Sequence, residues 1–355
     1  KKVTKDTLII IDEIQACPRA ITSLKYFCED LPEYHVIAAG SLLGVAIHQG
    51  ISFPVGKVES MYMYPMTFCE FLDALGEEKL CELINSSDFQ INLFKDKIIT
   101  YLKTYFYVGG MPEVVKNYIE NKDFQEVREI QNRILSDYKQ DFSHHIPPTI
   151  RPQVTKLWDS IPRQLAKENK KFVYSEIENT KARVKEYDPA LEWLKDSGLV
   201  YQIMRLSKPA LPIKAYQEYN SFKLFMSDIG LLSAKSDLDI RTLLEGSKVF
   251  TEFKGSITEQ FVLQELKAIQ NIDIAYWAND AGRAEIDFVI QLDSQIIPVE
   301  VKAGINLKAK SLNVYKEKFN PDILVRTSLA DYKKSDNLCD IPLYMIEQIK
   351  QICNL

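Results

Sequence analysis

The sequence predicts an α/β protein of several domains. Its 355 residues are enough for two or three domains that each bury a core. Hydrophobic residues make up 46% of the chain and charged residues 26%, which is ordinary for a globular protein. Near the start, the apolar runs "TLIIID" and "HVIAAGS" flank a helical pattern from about Arg19 to Asp30. Strand, helix and strand in this order predict a parallel βαβ unit.

The first strand ends in an acidic pair. Four apolar residues run from Leu8 to Ile11 and lead directly into Asp12 and Glu13. A Walker B strand of a P-loop ATPase has this pattern: the Asp holds the Mg²⁺ of the nucleotide, and the adjacent Glu polarises the attacking water. The phosphate-binding GxxxxGK[ST] loop must come earlier in such a chain and is absent here, since Gly56-Lys57 is followed by Val58. We therefore expect an N-terminal portion to precede Lys1.

The second strand ends at Gly40-Ser41. Ser41 lies where a sensor residue would sit, as a small polar group beside the γ-phosphate at the carboxyl edge of the sheet. The alternative is a plain Gly-Ser turn at the end of a strand. The spacing after Asp12 and Glu13 favours the sensor.

A helical segment is predicted next. "FPVGKVESMYMY" predicts a strand that leads through Pro65 into a helix near Thr67, where Thr67 and Glu70 form a capping-box pattern. Helices then dominate to about Ser143, with a break at Gly109-Gly110, as in a helical lid. "SHHIPPTIRPQ" predicts a linker. Its histidines, His144 and His145, could ligate a metal, but without a third ligand nearby we expect solvated linker residues.

A winged helix-turn-helix is predicted between Gln153 and about Ala234. A helix carries Leu191 and Leu194 on its apolar side, a turn follows at Ser197-Gly198, and "SKPALPIKAYQEYN" would form the wing. Basic residues alternate with glutamates here, and the basic ones are Lys167, Lys170, Lys171, Lys181, Arg183 and Lys185. A DNA-binding surface usually has a stripe of basic residues that is not interrupted by acidic ones. The segment could therefore contact either DNA or a protein partner.

The C-terminal third carries the sharpest chemical pattern. "YWANDAGRAEIDFVI" predicts a strand bearing Asp287, and "QIIPVEVKAG" a strand bearing Glu300 and Lys302. In "VEVK" the charged residues alternate with valines, so both charged side chains lie on one face. Two carboxylates and a lysine on one face are what metal-dependent phosphodiester cleavage requires. A surface ladder of salt bridges is the alternative, but unpaired charges in apolar strands are unfavourable without a metal or mutual pairing.

Charge and cysteine usage restrict partners and compartment. The net charge of -5 gives no general attraction to nucleic acid or anionic membrane, so a nucleic-acid surface would be a local basic patch. The six cysteines show no metal-ligand spacing and read as reduced thiols. The sequence contains no signal-peptide pattern and no apolar run of about 18 residues. We expect a cytoplasmic protein with no membrane partner.

The C-terminal motifs resemble the PD-(D/E)xK nuclease superfamily. "EID" matches the first acidic motif, "EVK" matches the ExK motif, and Glu259 on the preceding helix "KGSITEQFVLQEL" matches the usual third carboxylate. The resemblance implies a restriction-endonuclease-like α/β domain. It also implies catalytic roles for Glu259, Asp287, Glu300 and Lys302, with Mg²⁺ or Mn²⁺ on Asp287 and Glu300.

Motifs in the first third resemble those of bacterial and archaeal AAA-family ATPases that carry a C-terminal domain of unknown function. They are "TLIIIDEIQACPRA", "AAGSLLGVA", "FPVGKVESMYMYPMTFCEF" and "YVGGMPEVV". The resemblance implies ATP and Mg²⁺ in the intact family protein, with Asp12 as metal ligand, Ser41 at the nucleotide and Glu13 as the catalytic carboxylate that polarises the attacking water. Without its phosphate cradle, this chain is not expected to hydrolyse ATP. Lys57 stands where relatives often have Arg, so it is not assigned an arginine-finger role.

Four segments follow from these interpretations. They are a partial P-loop ATPase core (1–66), a helical lid (67–150), a winged helix (151–235) and a nuclease-like domain (236–355). Two functions remain open for the last segment. It is either a nucleic-acid-processing effector coupled to an AAA-type switch or a non-catalytic docking module built on a degenerate nuclease fold.

Overall fold

The computed structural model describes residues 3–48, 53–86, 89–167, 170–178, 184–246, 251–279, 282–305 and 310–353. The strands are β1 (Leu8–Ile11), β2 (His35–Ala38), β3 (Val200–Leu206), β4 (Gln217–Met226), β5 (Ile272–Ala278), β6 (Glu285–Leu292), β7 (Gln295–Val301), β8 (Leu324–Ser328), β9 (Lys333–Ser335) and β10 (Leu338–Pro342). The helices are α1 (Pro18–Asp30), α2 (Leu43–His48), α3 (Phe68–Ala74), α4 (Glu78–Ser86), α5 (Lys95–Val108), α6 (Pro112–Asn121), α7 (Phe124–His145), α8 (Arg151–Leu165), α9 (Ser175–Glu178), α10 (Val184–Asp196), α11 (Ile229–Lys235), α12 (Thr251–Ala268), α13 (Lys310–Phe319) and α14 (Ile349–Ile352). The protein therefore has the predicted mixed α/β character. Among the described residues, no helix has the length and apolarity needed to cross a membrane.

The predicted βαβ unit is confirmed at the N-terminus. Strands β1 and β2 pair in parallel, from Leu8 opposite His35 to Ile11 opposite Ala38, and α1 connects them. One side of this two-stranded sheet covers a small core around Ile14, Ile21 and Leu24. Its other side leaves apolar side chains such as Ile10 exposed.

The predicted strand rich in Met and Tyr is wrong. The described residues 53–66 form no strand and pair with no neighbouring strand. Met61 and Met63 are at least 90% exposed, so no packed layer holds this segment in a pleated conformation. Strand propensity reflects packing against neighbours, and here the neighbours are missing.

The helical segment from α3 to α7 is confirmed. The Thr67 hydroxyl accepts a hydrogen bond from Glu70 N, and the Glu70 carboxylate accepts one from Thr67 N, which completes the capping box. α5 ends at Val108, directly before the glycine pair. The linker interpretation is corrected at its start, because α7 continues through His144 and His145. Histidine in the last turn is favourable at the negative end of the helix dipole.

One sheet of eight strands organises the C-terminal half. Its spatial order is β4-β3-β5-β6-β7-β8-β10-β9. Strands β5, β6 and β7 form an antiparallel meander, and β8 then pairs in parallel with β7. α12 precedes this meander and α13 follows it. The predicted strand over "YWANDAGRAEIDFVI" is thus two strands, β5 and β6.

The segment predicted to be a winged helix contributes two strands to this same sheet. α10, the turn at Gly198 and β3 lie as predicted. The predicted wing contains a short 3-10 turn at Ile213–Tyr216 and the start of β4. β3 pairs with β5 in parallel at Arg205 and Leu206, across the predicted boundary at 235/236. The four-segment division stays a prediction, and Lys181 and Arg183 lie outside the described residues.

The helical segment and α12 share a core. The ring of Phe68 contacts the rings of Tyr105 on α5 and Phe261 on α12, with centroids 5.7 and 6.3 Å away. The carboxylate of Glu265 on α12 accepts hydrogen bonds from Phe68 N at 3.1 and 3.3 Å. Burial raises the pKa of Glu265 well above its usual range, and the negative charge of Glu347 raises it further.

Because Glu265 is buried, we expect the free energy of unfolding to depend on pH. Because its folded-state pKa is raised, Glu265 stabilises the fold at low pH, and that stability is lost as pH rises from the ordinary glutamate pKa of about 4.3 through the folded-state value. We expect Glu265→Gln to reduce this loss, so that the variant gains unfolding free energy relative to the parent as pH increases. Urea unfolding at a series of pH values measures it. Exposed Glu120→Gln serves as the control, and an unchanged pH slope in Glu265→Gln would contradict the prediction.

Candidate functional site

The acidic side chains of the C-terminal motifs converge beside the meander. Asp287 is the third residue of β6, Glu300 lies near the end of β7, and Lys302 follows that strand. β6 and β7 pair in an antiparallel register in which Phe288 is opposite Val299, so the next position outward brings Asp287 toward Glu300. Glu259 lies in the middle of α12.

Short contacts fix the orientation of the strand residues. Asp287 Oδ2 accepts a hydrogen bond from Val301 N at 2.7 Å. Lys302 Nζ donates to Glu300 Oε1 at 2.6 Å, so the two charged residues of "VEVK" share one face as predicted. Glu300 is nearly fully buried, whereas the Lys302 side chain is 29% exposed. Lys302 therefore extends from the buried acids toward solvent.

Two further lysines surround Glu259. Lys170 Nζ, from the segment between α8 and α9, lies 2.5 Å from Glu259 Oε1. Lys223 Nζ, from β4, lies 3.6 Å from Glu259 Oε2. Neither lysine was predicted to belong to this cluster. Lys170 lies in a polar run that resembles any solvated segment, but Lys223 stands alone among apolar residues in "FKLFM", which is a readable signal of a buried charge.

Lys223 is a fully buried cation. Its Nζ lies 2.5 Å from Glu285 Oε1 and 5.0 Å from the centroid of the Tyr276 ring. Its side chain has no solvent exposure. Burial opposes its charge, but Glu285, Glu259 and Asp287 outweigh that effect and raise the pKa of Lys223. The ammonium is therefore charged across the physiological range.

Burial and neighbouring charges shift the pKa values of Asp287 and Glu259 in opposite directions. Burial raises the pKa of Asp287 well above its usual range, and the charges of Glu259 and Glu300 add to that rise. Burial works in the same direction on Glu259, but Lys170 and Lys223 outweigh it and lower the Glu259 pKa. The pKa values of these two neighbouring acids are therefore shifted in opposite directions. Pairs of acids separated in this way are common at functional sites and also occur in structural ion-pair networks.

The donor atoms suit a hard divalent cation. Glu259 Oε2 and Glu300 Oε2 are buried and accept no hydrogen bond from the described residues. Carboxylate oxygens are the ligands that Mg²⁺ and Mn²⁺ prefer. However, no group of three or more His, Cys, Asp or Glu side chains in the described ranges is arranged to hold a metal ion. A cation at this place requires the carboxylates to reorient away from their lysine partners.

The N-terminal motif residues form a second, exposed group. Ser41 Oγ lies 3.4 and 3.5 Å from the two carboxylate oxygens of Glu13, and the role of Ser41 as a sensor stays a prediction. Asp12 Oδ1 accepts a hydrogen bond from Glu13 N at 3.0 Å. Glu13 adopts a left-handed backbone conformation with φ of 47°, and its side chain accepts a short hydrogen bond from Gln15 Nε2. Gln15 was not predicted and carries no distinctive sequence signal.

Three protein families match successive parts of the chain. Residues 1–72 match an AAA domain, residues 99–242 match the domain of unknown function DUF8612, and residues 254–346 match the domain of unknown function DUF4143. The first match confirms the predicted relationship of the N-terminal segment to AAA-family ATPases. No curated protein matches the chain.

A solved structure gives a partial match. It is a Walker-type ATPase of Pyrococcus abyssi, with 15% sequence identity and a TM-score of 0.41. The match covers 64% of this chain and 62% of that one, so this chain spans less than two thirds of the ATPase that it resembles.

Proposed function

We propose that this chain is a member of an AAA-type ATP-binding protein family and that its C-terminal half is a metal-dependent nuclease acting on DNA or RNA. The observation that carries the proposal is the convergence of Glu259, Asp287, Glu300 and Lys302 in one buried cluster. The AAA-domain match supports the ATPase part. The finer proposal for the C-terminal half depends on the chemistry of the cluster.

Each residue of the cluster has a role in this proposal. Glu259, Asp287 and Glu300 offer the oxygens that would hold Mg²⁺ or Mn²⁺. Lys302 Nζ is oriented by its 2.6 Å contact with Glu300 and reaches toward solvent, where a phosphodiester would approach. A fixed ammonium there stabilises negative charge that develops on the phosphate. When bound, the cation would add Lewis-acid stabilisation of the same charge.

A cleavage assay tests this function directly. The purified chain is incubated with single-stranded and double-stranded DNA and with RNA, in the presence of Mn²⁺, Mg²⁺ or EDTA. We expect cleavage of at least one substrate with Mn²⁺ or Mg²⁺ and none with EDTA. Absence of cleavage of every substrate with both ions would reject the nuclease proposal.

The docking-module function has one observation in its favour. Lys170 and Lys223 already neutralise Glu259, and Lys302 neutralises Glu300, as in a purely structural ion-pair network. Such a module predicts no cleavage with any divalent ion and partner binding that survives substitution of Glu300 or Lys302. The same cleavage assay therefore separates the two functions.

Nucleotide binding by this polypeptide should be weak. Backbone amides and the lysine of the P-loop normally supply most phosphate contacts, and the 355 residues contain no GxxxxGK[ST] motif. We expect ATP-Mg²⁺ to bind no more tightly than about 1 mM, at a binding free energy of roughly -4 kcal/mol. Isothermal titration calorimetry measures this, with Asp12→Ala as a control that should bind equally weakly. A micromolar dissociation constant would contradict the expectation.

A further inference from the structure

Lys170 occupies the charge position at Glu259 that a metal ion would need. We propose that the Lys170 ammonium is a built-in competitor for the divalent cation, which keeps the acid cluster closed until Lys170 leaves Glu259. This inference rests on the proposed metal-dependent function and adds the regulation of the same site.

The contact has the character of a specific buried ion pair. Lys170 Nζ lies 2.5 Å from Glu259 Oε1, and the two side chains are 12% and 6% exposed. A charge-assisted contact of this length is stronger than an exposed salt bridge, which solvent would screen. It satisfies the oxygen and the charge that a divalent cation would otherwise use. The Lys170 ammonium and a divalent cation would therefore compete for the negative charge of Glu259.

Of the two lysines at Glu259, Lys170 is the one that can leave. Lys223 Nζ is fully buried and is also paired with Glu285 at 2.5 Å, so its departure would bury an unpaired charge. Lys170 keeps some exposure and lies outside the sheet, between α8 and α9. Its flexible four-carbon stem can rotate the ammonium into water without moving the strand residues.

The segment that carries Lys170 is tied both to α8 and to the sheet. Phe172 N donates to Phe222 O at 2.7 Å, and the two rings stack with centroids 5.3 Å apart. Gln164 on α8 bonds both backbone groups of Val173, at 3.2 and 2.9 Å. A partner that shifts α8 would shift Lys170 as well. The closed state is thus linked to the surface where we predicted a protein or DNA contact.

Manganese binding by charge-removing variants tests the inference. Lys170→Met keeps most of the side-chain volume but removes the ammonium, and we expect it to bind Mn²⁺ about tenfold more tightly than the parent in electron paramagnetic resonance titrations, because the competing contact is gone. Lys170→Arg keeps the charge and should bind Mn²⁺ like the parent. Lys235→Met is the matched control. Lys235 is 10% exposed, and its Nζ lies 2.7 Å from Asp159 Oδ1, a carboxylate that is not part of the acid cluster. An unchanged or weaker affinity in Lys170→Met would overturn the inference.

A measurement on the unmodified chain covers the case in which Lys170→Met does not fold. Mn²⁺ should increase the reaction of Lys170 with an amine-specific reagent, as followed by mass spectrometry, while Lys235 stays unchanged. Lys170 labelling that does not respond to Mn²⁺ at any concentration would overturn the inference.

The results separate this inference from the proposed function. Tighter Mn²⁺ binding by Lys170→Met without nucleic-acid cleavage would support competition between Lys170 and the cation but reject the nuclease function. Cleavage by the parent, with equal Mn²⁺ affinity in the parent and in Lys170→Met, would support the nuclease function but reject competition by Lys170. Failure of both chains to bind Mn²⁺ would reject both.

Discussion

Gly230→Ala should lower the free energy of unfolding by about 3 kcal/mol or more, because the added methyl group would meet backbone atoms that cannot move aside. A Cβ at Gly230 would lie 2.3 Å from Val108 O and 2.6 Å from Val108 C. This close approach lets the end of α5 pack against the start of α11. Asp228 reinforces the junction: it is fully buried and accepts hydrogen bonds from Gly110 N at 2.7 Å and Leu231 N at 2.8 Å.

A second helical glycine provides the control. Gly255 lies in α12, and a Cβ there would meet no atom within 4 Å. Gly255→Ala should therefore raise the free energy of unfolding, by roughly 0.5–1 kcal/mol, through helix propensity alone. Urea unfolding of both variants checks the pair. Equal effects in the two variants would show that the close approach at Gly230 is not a constraint.

Local sequence signals predicted the elements that depend on near neighbours. The apolar run before Asp12, the helix from Pro18 and the second strand were readable because this βαβ unit lies within about 30 residues of the chain. The Thr67 capping box involves only atoms three residues apart. Alternation in "VEVK" was sufficient to place Glu300 and Lys302 on one face, because side chains in a strand have a period of two.

Contacts between distant segments were not predictable in the same way. β3 joins the large sheet through two residue pairs with β5, about 70 residues later in the chain, and nothing in its own sequence names that partner. The pairing of Lys170 with Glu259 likewise spans 89 residues. The exposed Met and Tyr residues of 61–64 have high strand propensity but lack a neighbouring strand, so propensity alone gave the wrong element.

The remaining prediction concerns the strand residues of the acid cluster. Glu300→Ala or Lys302→Ala should reduce Mn²⁺-dependent cleavage of nucleic acid by at least about a hundredfold, since removing one group that stabilises transition-state charge typically costs this much. The Glu300→Ala variant should keep the fold. Lys302 is partly exposed, so it can be solvated when Glu300 is gone. Near-unchanged circular dichroism and urea midpoints would establish that the loss is chemical.

A matched variant isolates the role of position from the role of charge. Lys214→Ala also removes a lysine from a carboxylate pair, with Asp273 at 2.8 Å, but Lys214 is 70% exposed and lies outside the acid cluster. It should cleave at the parent rate if the cluster is the reacting site. Equal cleavage rates in Lys302→Ala and Lys214→Ala would show that Lys302 has no role in cleavage. Cleavage that persists in Glu300→Ala would mean that another part of the molecule, or a contaminant, carries the activity.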